Sequence, residues 1–183
     1  MKSIRTDRFI LQRMEEKEYL EFYQLLDGVQ ADNPPYYVKK AVIECMMLEN
    51  KYFSIFLKAS GEYLGYICLQ IIENDICNEL GIAIREAYQN RGVATEIIPA
   101  FLNWIYNNYD IQTVIVRIEP DNTHSQHLFE KLGATFDGLK ERRDPCLLKL
   151  NELRRTIGEP EQPLPQVLYY HFDLPLSSHR TTD

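Results

Sequence analysis

The chain lacks the features that would place it in a membrane, outside the cell or on nucleic acid. Its 183 residues include four cysteines, Cys45, Cys68, Cys77 and Cys146, with no C-x-x-C spacing. That pattern argues against a zinc knot or a disulfide framework and predicts reduced structural thiols. No apolar run approaches the roughly 20 residues needed to cross a bilayer, and residues 1–7 lack a secretory h-region. A cytoplasmic protein without a membrane partner is expected. Positive charge is in deficit: 20 Lys and Arg against 27 Asp and Glu give a formal net charge of −7. A nucleic-acid surface needs a basic face, so no nucleic-acid partner is expected, whereas a cationic amine would be drawn to such a protein. There is no G-x-G-x-x-G fingerprint, and no Lys-Ser or Lys-Thr follows a glycine turn, which excludes the dinucleotide and nucleoside-triphosphate loops. Internal repeats are absent too.

What is present suits one globular domain. Hydrophobic residues make up 45% of a chain long enough for one well-buried core. The prediction is a single domain over residues 1–175 and a frayed tail over 176–183. Residues 8–13 read as a first strand, and residues 15–26 place Tyr19, Phe22, Tyr23 and Leu26 at helical spacing. Gly28 ends that helix, a loop at residues 32–35 follows, and a second helix is expected over residues 36–48. Residues 52–58 and 63–72 form a hairpin about the turn at 59–62, and Asn74-Asp75 turns the chain into a strand over 76–84. Ile97, Ile98, Phe101, Leu102 and Ile105 give one apolar face to a helix over residues 93–107, where Pro99 predicts a kink or an irregular start. Residues 112–118 are β-branched and, being reached through a helix, should run parallel to the strand that carries Glu79. A helix over 122–132 stops at Gly133, and an extra amphipathic helix is expected over 144–157. A proline-rich linker at 158–165 leads to a last strand over 166–174.

The focal stretch is Gln89-Asn90-Arg91-Gly92-Val93-Ala94, between the apolar run at 80–84 and a helix. A strand, a glycine turn and a helix start point successive backbone N–H groups, with the positive end of the helix dipole, at one spot. Such a spot suits an anion. A side chain at residue 92 would keep a phosphate from the backbone, and Arg91 adds charge at the rim. An ordinary strand-to-helix turn is the alternative that six residues alone leave open.

Gln-x-x-Gly-x-Ala, entered from the strand with Glu79, resembles the acyl-coenzyme A pyrophosphate loop of the GNAT superfamily of N-acetyltransferases. The later segment, in which Asn122 leads a helix ending Glu130-Lys131-Leu132-Gly133, resembles the second GNAT signature. The opening Thr6-Asp7-Arg8-Phe9-Ile10-Leu11-Gln12-Arg13 is similar to that of the RimL/RimJ-like branch, which contains ribosomal-protein N-terminal acetyltransferases. The resemblance reaches to about residue 140. It implies the GNAT acyl-CoA N-acyltransferase fold in the α+β class. The central sheet would be twisted, mixed and mostly antiparallel, with about seven strands, splayed parallel central strands and flanking helices.

The resemblance also implies the chemistry. Acetyl-coenzyme A would be the cosubstrate, with no metal, and a primary amine, small or peptidic, would be the acceptor. The pyrophosphate would rest on Gln89, Asn90, Arg91, Gly92, Val93, Ala94 and Thr95. The pantetheine arm would run along Ile82, Ala83 and Ile84 and meet Asn122, Ser125 and Phe129. Glu79 would be the general base, acting through water, and otherwise a solvated strand residue. Phe129 stands where many members carry the protonating tyrosine and cannot donate a proton. Ser125 is therefore the candidate acid, with helix-start hydrogen bonding as its other role. Tyr36 and Tyr37 either flank an acceptor entrance or cover apolar surface. Of Tyr169 and Tyr170 only one can face a cleft, and Tyr170 joins the acceptor-site candidates. His124-x-x-His127, without a firm carboxylate partner, is a weak metal pattern. The extra helix would cover a sheet edge or form a homodimer contact. A coenzyme-binding regulatory module that has lost catalysis is the competing function, favoured by Phe129.

Overall fold

The computed structural model describes residues 3–26, 35–47, 51–72, 77–142 and 145–176. Gly28, Asp32 to Pro34, Leu48, Asn74-Asp75, Ile76, Asp144 and residues 177–183, all used above, lie outside the described residues. Two compact units emerge, Met1–Ile115 with Asp173–Asp183, and Val116–Phe172. No described helix is long and apolar enough to cross a membrane.

In the first unit β1 (Ile4–Arg5), β2 (Phe9–Arg13), β3 (Lys51–Leu57), β4 (Tyr63–Ile72) and β5 (Cys77–Ile84) pair antiparallel in sequence order. Alternation in β2 buries Phe9 and Leu11 and leaves Gln12 in solvent, as period-2 geometry requires. Helix α3 (Val93–Asn108) then returns the chain so that β6 (Thr113–Ile118) lies parallel to β5, with Glu79 opposite Ile115. The expected apolar face of α3 is buried in full at Ile97, Ile98, Phe101, Leu102 and Ile105. Phe53 meets Phe101 and Trp104 edge-on, with ring centroids 5.6 and 5.0 Å apart. Each such buried side chain stabilises the fold by roughly 1.5–3 kcal/mol. The helix runs through Pro99, which deprives the Thr95 carbonyl of its i+4 amide donor.

Residues 15–26 are less helical than their spacing predicts. A 3₁₀ turn at Glu16–Glu18 opens the segment and α1 covers only Tyr19–Tyr23. Glu18 is drawn inward to 5% exposure, where its carboxylate accepts hydrogen bonds from the Glu15 amide at 2.7 Å and the Ser54 hydroxyl at 3.4 Å. The first turn is thus built around a buried carboxylate rather than an α-helical ladder. The apolar positions still serve the core, where Tyr19, Phe22, Tyr23 and Leu26 cluster with Tyr52, Cys68 and Ile43 of α2 (Tyr36–Met47).

The second unit holds the end of β6, α4 (Thr123–Lys131), β7 (Thr135–Glu141), α5 (Pro145–Thr156) and β8 (Gln166–Asp173). β7 pairs antiparallel with β8. The proline-rich stretch is fastened to α5: Asn151, 5% exposed, donates to the Gln162 carbonyl at 2.7 Å and accepts the Gln162 amide at 2.8 Å. The hydrogen-bonded strand order is β1-β2-β3-β4-β5-β6-β8-β7, eight strands where about seven were expected. The sequence analysis identified neither β1 nor β7. β1 has two residues, too few to show a period, and β7 is exposed along nearly its whole length, so no alternation marks it.

Gly65 lets β4 and β5 approach closely. Its φ is +151°, and a Cβ there would fall on the Ala83 carbonyl oxygen and lie 2.9 Å from the Ile84 Cα. Beside it the β3–β4 register slips, so that Ile55 faces Gly65 but Phe56 faces Tyr63. Gly65→Ala should therefore destabilise the fold by roughly 1–3 kcal/mol through backbone strain alone. Urea unfolding would measure this, and an unchanged midpoint would contradict the close approach.

Candidate active site

At the end of β5 the Arg85 amide donates to the Leu64 carbonyl at 2.8 Å, and a 3₁₀ turn at Glu86–Tyr88 leads into the loop. The Gln89 side-chain amide donates back to the Ile84 carbonyl at 2.9 Å, which ties loop to strand. Asn90 and Gly92 both adopt left-handed backbone, with φ of 58° and 72°. Such reversals turn successive N–H groups to one side of the chain. Gly92 is the N-cap of α3 and supplies no side-chain cap. The amides of Gly92, Val93, Ala94 and Thr95 therefore have no intrahelical acceptor, and the first helical bond runs from the Glu96 amide to the Gly92 carbonyl at 3.2 Å. Arg91 lies 5.6 Å from the Tyr88 ring centroid, a cation–π distance. Together these groups form a candidate anion site.

The cradle is held from behind by residues whose roles the sequence analysis did not assign. Glu96 Oε1 accepts from the Thr6 hydroxyl at 2.6 Å and the Arg8 amide at 2.8 Å, and Oε2 accepts from Arg8 Nε at 2.7 Å. The remaining guanidinium nitrogens of Arg8 donate to the carbonyls of Arg91 at 3.1 Å and Gly92 at 3.2 Å. Burial raises the Glu96 pKa, but the Thr6 and Arg8 bonds outweigh it and hold the carboxyl below its ordinary value. The signal was in the sequence, since an acid in the first turn of α3 and the opening Thr6-x-Arg8 could have been paired by charge.

Glu79 sits half-buried on β5, opposite Gln70 of β4. On that face the Gln70 side-chain amide donates to the Tyr52 hydroxyl at 3.0 Å. The Cys68 thiol is pushed up to about 12, chiefly by burial; hydrogen bonds from Tyr52 and the Gly81 amide work against this, and the charge of Glu79 adds to it. The candidate base thus lies beside a polar group of side chains rather than in open solvent. Beyond Glu79, Leu80 to Ile84 pair with β4, and β5 meets β6 at the Glu79–Ile115 pair. In the same unit Tyr36 donates to Glu16 at 3.1 Å, where Lys40 also donates at 2.7 Å, while Tyr37 is 72% exposed.

The second unit holds the other predicted residues. Asn122 caps α4 by accepting the Ser125 amide at 3.1 Å, which leaves the Asn122 NH₂ as its donor; Ser125 is half-buried one turn in. Phe129 is buried edge-on to Phe172, with centroids 6.2 Å apart. Tyr170 is buried as well, and its hydroxyl donates to Glu130 at 3.1 Å; burial and that carboxylate both raise its pKa. Tyr169 is half-buried beneath Lys140, whose Nζ is 4.9 Å from the ring centroid. His124 and His127 are exposed, and among the described residues no group of three or more His, Cys, Asp or Glu could hold a metal ion.

An uncapped helix behind a left-handed glycine, reached directly from a strand, suits an anionic ligand. The profile described as the acetyltransferase (GNAT) domain matches residues 8–135. The chain belongs to the GNAT acetyltransferases: it is an acyltransferase, and its cosubstrate is acetyl-coenzyme A. An uncharacterized N-acetyltransferase, YnaD of Bacillus subtilis (strain 168), is 23% identical over 159 residues, 81% of this chain and 90% of the relative. Among solved structures, a GNAT-family acetyltransferase from Bacillus anthracis superposes with a TM-score of 0.68 at 17% identity, covering 94% of this chain and 98% of that one. RimL, a ribosomal-protein alpha-N-acetyltransferase in complex with coenzyme A, gives 0.70 at 16% identity with the same coverage. The spermidine/spermine N-acetyltransferase SpeG from Vibrio cholerae gives 0.65 at 14% identity, covering 91% and 92%. At these identities the structural likeness is one of fold.

The depressed Glu96 pKa fixes a pH dependence. Because the folded value lies below the unfolded one, near about 4.3, its stabilisation is complete above that pH and is lost as pH falls through the folded value. Glu96→Gln should be less stable than wild type at pH 7, and the gap should close in acid. Denaturant unfolding of both proteins across this range measures it; a gap that persisted unchanged into acid would rule out the charge.

Proposed function

We propose that this enzyme transfers the acetyl group of acetyl-coenzyme A to a primary amine, either a protein N-terminus or a small amine, by direct attack. The observation that carries the reading is the uncapped start of α3 behind left-handed Gly92, where the pyrophosphate would accept from the amides of Gly92 to Thr95. Gln89, Asn90 and Arg91 complete that cradle, and the pantetheine arm would add along Ile82 to Ile84 as a surrogate strand. The profile match runs from the first compact unit into the second as far as residue 135, and solved acetyltransferases align over 94% of the chain, which supports reading residues 1–175 as one acetyltransferase domain.

The amine attacks the thioester carbonyl in its neutral form. Glu79 takes the ammonium proton through water, the C–N bond forms, and collapse of the tetrahedral oxyanion breaks the C–S bond. The departing thiolate needs a proton, which buried Phe129 cannot give; the Ser125 hydroxyl is our candidate donor. RimL and SpeG are named for a protein α-amine and for polyamines, and both acceptors are primary amines, which supports that class. Tyr37, 72% exposed, is an aromatic ring available to such an amine, worth roughly 0.5–2 kcal/mol by cation–π attraction, while Tyr36 is tied to Glu16. Tyr170 is held by Glu130, so its contribution would be to position its strand.

Acetyl-coenzyme A at 100 times its dissociation constant should stabilise the fold by about 2.7 kcal/mol, and Gly92→Glu should abolish that shift. Glu79→Gln should slow thiol release on a panel of amines by roughly 10² to 10⁴-fold at unchanged coenzyme affinity. Binding without turnover on any amine would favour the coenzyme-binding module, and an unchanged rate in Glu79→Gln would remove Glu79 as the base.

A further inference from the structure

We infer that Arg8 is a coenzyme-positioning residue, which aims the loop amides at the pyrophosphate by holding the carbonyls of Arg91 and Gly92 on the opposite side. The inference rests on reading residues 89–95 as the pyrophosphate cradle. A trans peptide is planar, with its C=O and N–H pointing in opposite directions. When the Arg91 carbonyl is fixed on Arg8 Nη1 and the Gly92 carbonyl on Nη2, the amides of Gly92 and Val93 are therefore turned away from Arg8. Those are the first two of the amides that α3 leaves without an acceptor.

The guanidinium suits this task because its planar fork presents several donors in fixed directions. Its Nε edge is oriented by Glu96, which is anchored in turn by the Thr6 hydroxyl and the Arg8 amide. Lys58 donates to the Thr6 carbonyl, and the Arg8 guanidinium lies 4.8 Å from the Phe9 ring centroid. The fit is close: a Cβ on Gly92 would stand 3.2 Å from Arg8 Nη2, and the φ of +72° itself favours glycine. The Arg8 side chain is 50% exposed, and ion pairs so exposed add little to stability. A residue with so many bonds to one loop and so little burial acts on the loop rather than on the core.

The test compares acetyl-coenzyme A with acetylpantetheine, a donor that lacks the pyrophosphate and nucleotide. In Arg8→Ala the KM for acetyl-coenzyme A should rise about tenfold, the loss expected for misdirected charge-assisted hydrogen bonds. The kcat should change little, and kcat/KM for acetylpantetheine should match wild type. Arg8→Lys keeps the charge beside Glu96 but cannot reach both carbonyls, so it should show a smaller rise in KM and serves should the alanine variant fold poorly. An unchanged KM for acetyl-coenzyme A, or an equal fall in kcat/KM with both donors, would overturn the inference. Gly92→Glu separates the two levels: if it uses acetyl-coenzyme A as well as wild type does, the cradle itself is misplaced. If Gly92→Glu is impaired while both Arg8 variants behave as wild type, the cradle stands and the role of Arg8 falls.

Discussion

A helix that begins without a cap leaves amide donors with no protein acceptor, and the first unit is arranged so that α3 begins in that way. Gly92 offers no side chain to satisfy the amides. Glu96, the acid in the first turn, is turned toward Thr6 and Arg8. Compare α4, where Asn122 accepts the Ser125 amide and closes its own helix start in the usual way. Of the two helices only α3 starts without a side-chain cap.

The strand that delivers the loop is constrained as tightly. β5 is held against β4 from Gly65 to Ile72 and meets β6 at the Glu79–Ile115 pair. Gly65 permits the close approach that fixes Ala83 and Ile84, and Gln89 reaches back to the Ile84 carbonyl. Glu79, Ile82 to Ile84 and the loop at residues 89–95 thus lie along one continuous segment of chain. The proposed reaction would need them in that order, since thioester, pantetheine arm and pyrophosphate follow one another along the coenzyme.

Much of this was legible in the residues. The apolar face of α3 and the β-branched run of β6 each carry a strong local signal, and each stands where it was expected; the Gln89 to Ala94 spacing, taken alone, left an ordinary strand-to-helix turn open. The first helix was overestimated because spacing reports which side chains are buried, not how the backbone ladder closes; the buried Glu18 carboxylate decided that. β7 was missed because a strand exposed on both faces has no period. The clasp of Thr6 and Arg8 on Glu96 links positions about 90 residues apart; the opposite charges were visible in the sequence, but their meeting depends on the fold. Tyr170 looked free to face an acceptor, yet its partner Glu130 becomes visible only once α4 and β8 are built.

The central claim is that the free amides at the start of α3 hold the pyrophosphate. Residue-resolved amide hydrogen exchange with and without coenzyme A tests it most directly. Protection should appear at Gly92, Val93, Ala94 and Thr95, where the helix alone offers no acceptor, and along Ile82 to Ile84. Saturating coenzyme A that left the exchange of Gly92 to Thr95 unchanged would contradict the account.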